Sequence, residues 1–278
     1  MINGINTIFF GIVTYREKYD ECDTFKSLIK SFESVNIDEI LYIYIYDNTP
    51  DVDWKLNHLN LGNKIRIKYF TENENKGIAY AYNYLAKKAI EDKKEWFVIL
   101  DQDTILPNDF YLSYRNFNLS YKILCPKIYV GDKLISPAYY HNYRSFPLKG
   151  LNTDSLLLKG ISFINSGLLV NLQLFNSIGG YNEHLKLDFC DHDFIERIKS
   201  IGINEVGIIK SNLVQNFSFN THDKFQALNR YIMFLKDYAI YDQNKNSLIL
   251  FLNVGLPHLI KLSFKYKTTQ FIRQWLAL

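Results

Sequence analysis

The chain reads as an α/β protein, with a mostly parallel central sheet flanked by helices and a helical C-terminal tail. Three observations predict this. Short apolar runs alternate with helical periodicity through the first half. The runs are near-continuously apolar, as strands covered on both faces must be. Polar clusters close three of the runs, at the place where open α/β sheets bind ligands.

Residues 7–14 are apolar and β-branched, and read as a buried strand. Residues 22–34 follow as a helix with Phe25, Leu28, Ile29 and Phe32 on one face. Residues 40–46 form a second strand, stopped by the turn sequence Asp47-Asn48-Thr49-Pro50. Residues 64–69 form a third. Asn75-Lys76-Gly77 then leads into a helix over 78–90, and 96–100 form a fourth strand ending at Asp101-Gln102-Asp103. The second half is less regular. Strand-like runs fall at 123–130, 156–170 and 206–209, and helical patterns at 172–178, 191–200 and 225–241.

At 278 residues, 47% hydrophobic and 16% aromatic, the chain can build a large core and is not a disordered sequence. A net charge of +3 supplies no global field for nucleic acid. Its distribution says more. From Gln243 onward there is no acid, but Lys245, Lys261, Lys265, Lys267 and Arg273 are present, so the tail carries +5 and the remainder 3 − 5 = −2. A basic apolar tail on a near-neutral body points to an anionic membrane surface. Its strongest apolar run, 248–260, is broken by Asn253, Gly255, Pro257 and His258, too short and interrupted to read as a span. Cys22, Cys125 and Cys190 are odd in number and widely spaced, which fits a reducing, cytoplasmic compartment, peripheral on the inner face of the membrane if the tail binds lipid. No secretory signal is expected.

The segment WFVILDQDT, residues 96–104, carries the most chemistry. A buried strand delivers Asp101 and Asp103 into a loop. Two residues apart on extended backbone, they point the same way. Hard divalent cations prefer carboxylate oxygens together with substrate phosphates, and such a cation neutralises a departing diphosphate. A second cluster, Asp188-Phe189-Cys190-Asp191-His192-Asp193, opens a helix. One acid there is ordinary capping chemistry. Three in six residues offer a carboxylate that can take a proton from an attacking hydroxyl.

Four segments in order resemble the family 2 glycosyltransferases, which have the GT-A fold. They are GIVTYRE, YIYDNTP, NENKGIAYAYNYLAKKA before the acidic strand end, and GGYNEHLKLDFCDHDFIERIKSIG. NKGIA followed by LDQDT looks most like the rhamnosyltransferase branch. The resemblance implies a GT-A catalytic domain over 1–242, with its nucleotide-binding half to about 110 and its acceptor-binding half over 111–242, then the basic apolar tail 243–278. It also implies a metal-dependent, inverting transferase. The donor would be dTDP-L-rhamnose, the cation Mn2+ or Mg2+, and the acceptor a glycan or lipid-linked glycan of bacterial O-antigen or capsule synthesis.

Carried over position by position, Thr14, Tyr15 and Arg16 would line the nucleotide pocket and Asp47 would bond the base or ribose. Asn75, Gly77 and Asn83 would shape the donor pocket, with Gly77 admitting close backbone approach to the nucleotide. Asp101, Gln102 and Asp103 match the D-x-D segment, Asp103 as the direct metal ligand with Asp101 beside it. Asn165, Ser166 and Gly167 would floor the donor sugar. Asp191 matches the base; Asp188, Asp193 and Arg197 match positions around it. Two departures stand out. Cys190 replaces the usual glutamate before the base. Where a late metal histidine is expected, Gln215 or Asn216 stands, with His222 nearby as a substitute ligand. The run from Tyr139 to Tyr143 is aromatic and reads equally as an acceptor loop or as ordinary surface.

Other readings compete. A nucleotidyltransferase would need a glycine-rich basic loop near the N-terminus, which GIVTYRE lacks. A catalytically inactive sugar-binding or scaffold protein would have no need of Asp101, Asp103 and Asp191. Within the same fold, the donor could be a UDP-hexose or UDP-galactofuranose; only the LDQDT wording favours dTDP-rhamnose.

Overall fold

The computed structural model describes residues 7–52, 62–215, 223–243 and 245–278. The first half follows the sequence reading. It runs β1 (Ile8–Thr14), α1 (Asp23–Glu33), β2 (Leu41–Asp47), β3 (Ile65–Thr71), α2 (Ile78–Glu91), β4 (Trp96–Asp101), β5 (Thr104–Ile105) and α3 (Phe110–Arg115). Every residue of β1 is buried, as its unbroken apolar run requires. Cys22 caps α1, its sulfur accepting from the Phe25 N–H.

The second half is more finely divided than its sequence suggests. It runs β6 (Ile123–Val130), β7 (Lys133–Ser136), β8 (Ala138–His141), β9 (Arg144–Pro147), β10 (Ser155–Leu157), β11 (Ile161–Ser162), β12 (Leu169–Asn171), α4 (Leu172–Ser177), α5 (Cys190–Ser200), β13 (Glu205–Gln215) and α6 (Lys224–Asp242). The expected run over 156–170 is three strands, because Gly160 and Gly167 take positive φ and turn the chain between them. The expected strand over 206–209 extends to Gln215, its pairing with β6 shifting register between Ile208 and Asn212.

The main sheet is ordered β10-β13-β6-β12-β4-β1-β2-β3. β3, β2, β1 and β4 are parallel; β12 is antiparallel to both β4 and β6. A smaller sheet, β11-β8-β9, lies apart. Two cores cover the main sheet. One joins α1 and α3 through Phe25, Leu28, Phe110 and Tyr114. The other joins α2, α4, α5 and α6 through Tyr82, Phe175, Phe194 and Phe234.

The tail is α7 (Ser247–Leu250), a π-helical turn (Phe251–Gly255), α8 (Leu256–Lys265) and α9 (Gln270–Leu276). Gly255 and Pro257 do not break it: Pro257 follows closely on the π-helical turn, and the helix runs on through both. Leu250, Leu259 and Phe271 enter the second core beside Tyr231 and Phe234 of α6.

Candidate active site

The register of the parallel strands assembles one polar edge. Thr14 lies opposite Asp47, and Val13 opposite Asp101. The ladder runs one step further, the Asn48 N–H donating to the Thr14 carbonyl at 2.8 Å. The Gln102 carboxamide grips the Tyr15 backbone in both directions, accepting from its N–H at 2.6 Å and donating to its carbonyl at 3.3 Å. The Arg16 N–H donates to Thr49 Oγ1 at 2.7 Å. Tyr15 and Arg16 thereby present exposed side chains over the strand ends.

The acidic turn after β4 is held from two sides. Thr24, in the first turn of α1, bonds the Asp101 carbonyl and the Thr104 carbonyl, the latter at 2.9 Å. From beneath, Ser166 Oγ accepts from the Asp101 N–H at 3.3 Å and pairs with Thr104 Oγ1 at 2.7 Å. Gly167 has φ +81°, and a Cβ there would come within 2.6 Å of Pro126 and 2.7 Å of Leu213. Asn165 Oδ1 accepts from the Tyr181 hydroxyl at 2.8 Å. Asn165 and Ser166 are buried, so this segment shapes the turn by supporting it.

Burial pushes the Asp101 carboxyl up to about 7; the Tyr82 hydroxyl bonded to it opposes the rise, and the charges of Asp103 and Asp191 add to it. Burial also raises Asp103, against a 3.5 Å contact from Gln215 Nε2. Glu17 is raised by burial and by the charges of Asp23 and Asp103. Acids from β4, α5 and the loop after β1 thus share one electrostatic neighbourhood, the condition a cation relieves.

The donor set fits a hard divalent cation. Gln215, at the end of β13 opposite Thr104, has its Oε1 buried without a partner beside Asp103. An amide oxygen and carboxylates are ligands of the type Mg2+ and Mn2+ take. Among the described residues no three His, Cys, Asp or Glu side chains stand close enough to hold a metal ion, so a cation at Asp103, Asp101 and Gln215 would need substrate oxygens to complete its shell. Asn216 and His222 lie outside the described residues.

The segment before α5 is built by α6. Fully buried Asp237 accepts the backbone N–H groups of Lys186, Leu187 and Asp188 at 2.9, 2.8 and 2.8 Å. Arg230, two turns earlier, donates to both oxygens of Asp188 at 2.6 and 2.7 Å. Phe189 takes φ +63°, unusual for a bulky residue. Its ring stacks on Tyr241 at 4.7 Å, which holds it there. Asp191 follows in the first turn of α5, half-buried, with Oδ1 accepting the His192 N–H at 2.8 Å. The His192 ring stacks on Tyr140 at 4.4 Å, and its Nδ1 lies 2.8 Å from Ser162 Oγ.

Several expected site residues have contacts within the frame. Asp47 is fully buried, its oxygens accepting from the Thr49 N–H at 3.0 Å and the Tyr69 hydroxyl at 2.6 Å. The Thr14 side chain is fully buried too. Gly77 has φ +93°, and what approaches it is the Lys186 backbone: a Cβ would lie 2.8 Å from the Lys186 carbonyl oxygen. That carbonyl accepts the Ile78 N–H at 2.8 Å, tying α2 to the base segment. The Asn83 amide is consumed by the Tyr181 backbone and Glu183. Exposed Asn75 caps the turn into α2 through the Gly77 N–H at 3.0 Å. Asp193 pairs with Arg197 at 2.8 Å, and Arg197 also bonds the Ile178 carbonyl. Two residues on from Asp191, Asp193 faces away from it around the helix.

Sequence reasoning missed Thr24, Tyr82, Glu17, Arg230 and Asp237. The last two left a signal: an arginine and an aspartate seven apart, on a helix face otherwise made of Tyr231, Phe234 and Tyr238.

A mostly parallel sheet with carboxylates at its strand ends and a separate acid on a following helix is the arrangement of the GT-A fold. The chain belongs to glycosyl transferase family 2, whose sequence profile matches residues 10–171. A dTDP-rhamnosyl transferase, RfbF, of Shigella flexneri is 25% identical over 206 residues, covering 71% of this chain and 65% of that protein. Among solved structures, S. aureus TarS superposes with a TM-score of 0.54 at 14% identity, over 96% of this chain and 49% of that one. The mannosyltransferase PcManGT of Pyrobaculum calidifontis, in complex with GDP-Man and Mn2+, gives 0.54 at 13% identity, over 98% and 74%. These likenesses establish the fold.

Proposed function

We propose that the protein is an inverting glycosyltransferase that moves L-rhamnose from dTDP-L-rhamnose to a glycan acceptor, on the cytoplasmic side of a bacterial cell making surface polysaccharide. The observation that carries the reading is the buried acidic turn at the end of β4, where Asp101 and Asp103 stand together and the Asp191 charge adds to the rise of the Asp101 carboxyl. The rhamnose assignment rests on the RfbF likeness together with the LDQDT segment. The three cysteines are free and buried, in keeping with a reducing compartment.

Tyr15 and Arg16 would contact the nucleotide, exposed as they are above the strand ends. Asp103, Asp101 and the Gln215 amide oxygen would hold a divalent cation, which when bound neutralises the charge gathering on the diphosphate. Asp191 takes the proton of the acceptor hydroxyl. That oxygen attacks the anomeric carbon on the face opposite the diphosphate. The carbon–oxygen bond to the diphosphate breaks, and its electron pair leaves with the phosphate. One displacement inverts the configuration. His192, fixed by Ser162 and Tyr140, borders the acceptor side of Asp191.

The test combines a donor screen with a base variant. dTDP-rhamnose, UDP-hexoses, UDP-galactofuranose and GDP-sugars are titrated with Mn2+ or Mg2+, and transfer is followed with radiolabelled donor. dTDP-rhamnose should bind tightest. Asp191→Asn should bind it as the parent does and lose transfer by at least about a thousandfold. Near-parental turnover in Asp191→Asn would remove Asp191 as the base. Preferential binding of a UDP-sugar would move the donor assignment and leave the mechanism standing.

A further inference from the structure

The acid-free tail does more than close the core. Ser247–Lys265 forms one continuous helical stretch, long and apolar enough to cross a membrane by length and composition, and little of it is fully buried. Leu248, Leu252, Ile260 and Phe264 stand out on it, Phe264 at 78% exposure. They follow a four-residue step, with half-exposed Leu256 filling the gap. On a regular α-helix each such step overshoots a full turn by about 40°, so the row would wind around the helix. The π-helical turn at Phe251–Gly255 winds less per residue and offsets part of that drift. α9 adds exposed Ile272 and Leu276. An open groove of about 530 Å³ lies where the two helices meet, lined by Ser263, Phe264, Lys267, Thr268, Thr269 and Ile272.

The opposite flank is fixed to the enzyme. Leu250, Leu259 and Phe271 are buried against α6. His258 meets Phe234 edge-on at 4.4 Å, and Trp275 packs on Tyr238 at 5.1 Å and Phe251 at 5.3 Å. A helix crossing the bilayer would have to strip this flank from its partners. A helix lying flat keeps it.

Charge selects the occupant of the free face. Lys261, Lys265, Lys267 and Arg273 are all exposed, and none forms an ion pair among the described residues. Lys245, by contrast, is engaged with Glu196. In a two-fold dimer through this face the four cations of one copy would meet the same four of the other. An anionic lipid surface offers apolar depth and negative phosphates together.

We propose that the tail docks in the plane of an anionic bilayer. Leu248, Leu252, Ile260, Phe264, Ile272 and Leu276 enter the boundary between headgroups and acyl chains. Lys261, Lys265, Lys267 and Arg273 contact lipid phosphates. The proposal stands independently of the donor and of the base, and places the transferase where a lipid-linked acceptor would be found.

The experiment is co-sedimentation of the full chain with phosphatidylcholine vesicles, with and without phosphatidylglycerol. Removing residues 243–278 would uncover Tyr231 and Phe234, so point variants are the cleaner probe. The chain should bind the anionic vesicles and pass over the neutral ones. Leu252→Ser with Phe264→Ser, and Lys261→Glu with Lys265→Glu, should each weaken binding by about tenfold or more, with far-UV circular dichroism and nucleotide binding unchanged. Failure of the parent chain to bind, or equal binding by folded variants, overturns the proposal. So does a dimer in sedimentation equilibrium that Phe264→Ser dissolves, which would give the face to a second copy. Retention in cell membranes after an alkaline carbonate wash would show a spanning helix and also overturn it.

Discussion

Arg230 holds both oxygens of Asp188, at 2.6 and 2.7 Å, three residues before the proposed base Asp191. The pair is planar fork against carboxylate, a geometry that lysine cannot reproduce. With Asp237 gathering three backbone N–H groups of the same segment, α6 sets the position from which α5 begins. Arg230→Met leaves Asp188 charged and unpaired, and should cost about 1–3 kcal/mol of stability. It should lower kcat by about tenfold or more while leaving donor affinity within about twofold. Arg230→Met with Asp188→Asn should recover stability but not kcat. Parental kcat in a folded Arg230→Met protein would show that the pair has no part in placing Asp191.

Gln215 carries the prediction about the cation. Its unpartnered Oε1 beside Asp103 makes it the protein's own candidate for a third oxygen ligand. Gln215→Ala should weaken Mn2+-dependent binding of dTDP by about tenfold, measured by calorimetry without any acceptor. Binding in the absence of metal should not change. Gln215→Glu adds a charge and should tighten the cation. If Gln215→Ala binds Mn2+ and dTDP as the parent does, the third ligand lies elsewhere.

Gly77 tests the frame. With φ +93° and the Lys186 carbonyl oxygen 2.8 Å from where a Cβ would sit, Gly77→Ala suffers both backbone strain and a backbone clash. Either alone costs on the order of 1–3 kcal/mol. The obstacle is main chain held by Ile78 and Asp237, so it cannot swing aside. The variant should unfold at markedly lower denaturant concentration than the parent. An unchanged midpoint would mean that the Lys186 segment yields.

Strands β1, β2 and β4 were legible because nearly every residue in them is buried and turn residues close them; β3 is an edge strand with Arg66 and Lys68 exposed. The region from β7 to β12 was not legible. Its strands are two to four residues long, and β10, β11 and β12 exist only through pairing with strands distant in the chain. The chemistry of Asp101, Asp103 and Asp191 was readable from residue type and position. The supports were not: Thr24 reaches residues 101 and 104 from α1, and Arg230 reaches Asp188 across 42 positions, contacts that no local pattern encodes. Asp47 and Asn83 show the converse, polar residues whose bonds are spent inside the fold, while Thr14 is buried with its hydroxyl unpartnered.

His258 ties the tail to stability at low pH. It sits between the rings of Phe234 and Tyr231, and burial lowers its pKa from 6.5 to about 4, with Arg230 and Lys261 lowering it further and Asp188 opposing. The folded chain therefore keeps the ring neutral where the unfolded chain protonates it. Between about pH 6.5 and pH 4 the unfolded state binds more protons, so this residue's contribution to stability falls as pH falls. By pH 5 the loss is about 1.36 × 1.5, or roughly 2 kcal/mol. His258→Gln has no proton to take up in that window. The stability gap between parent and His258→Gln, measured by urea unfolding at pH 7.5 and pH 5, should shift by about that amount in favour of the variant. A gap that stays constant across the two conditions would show that the ring is protonated in the folded chain, and that the contact between the tail and α6 is looser than these distances describe.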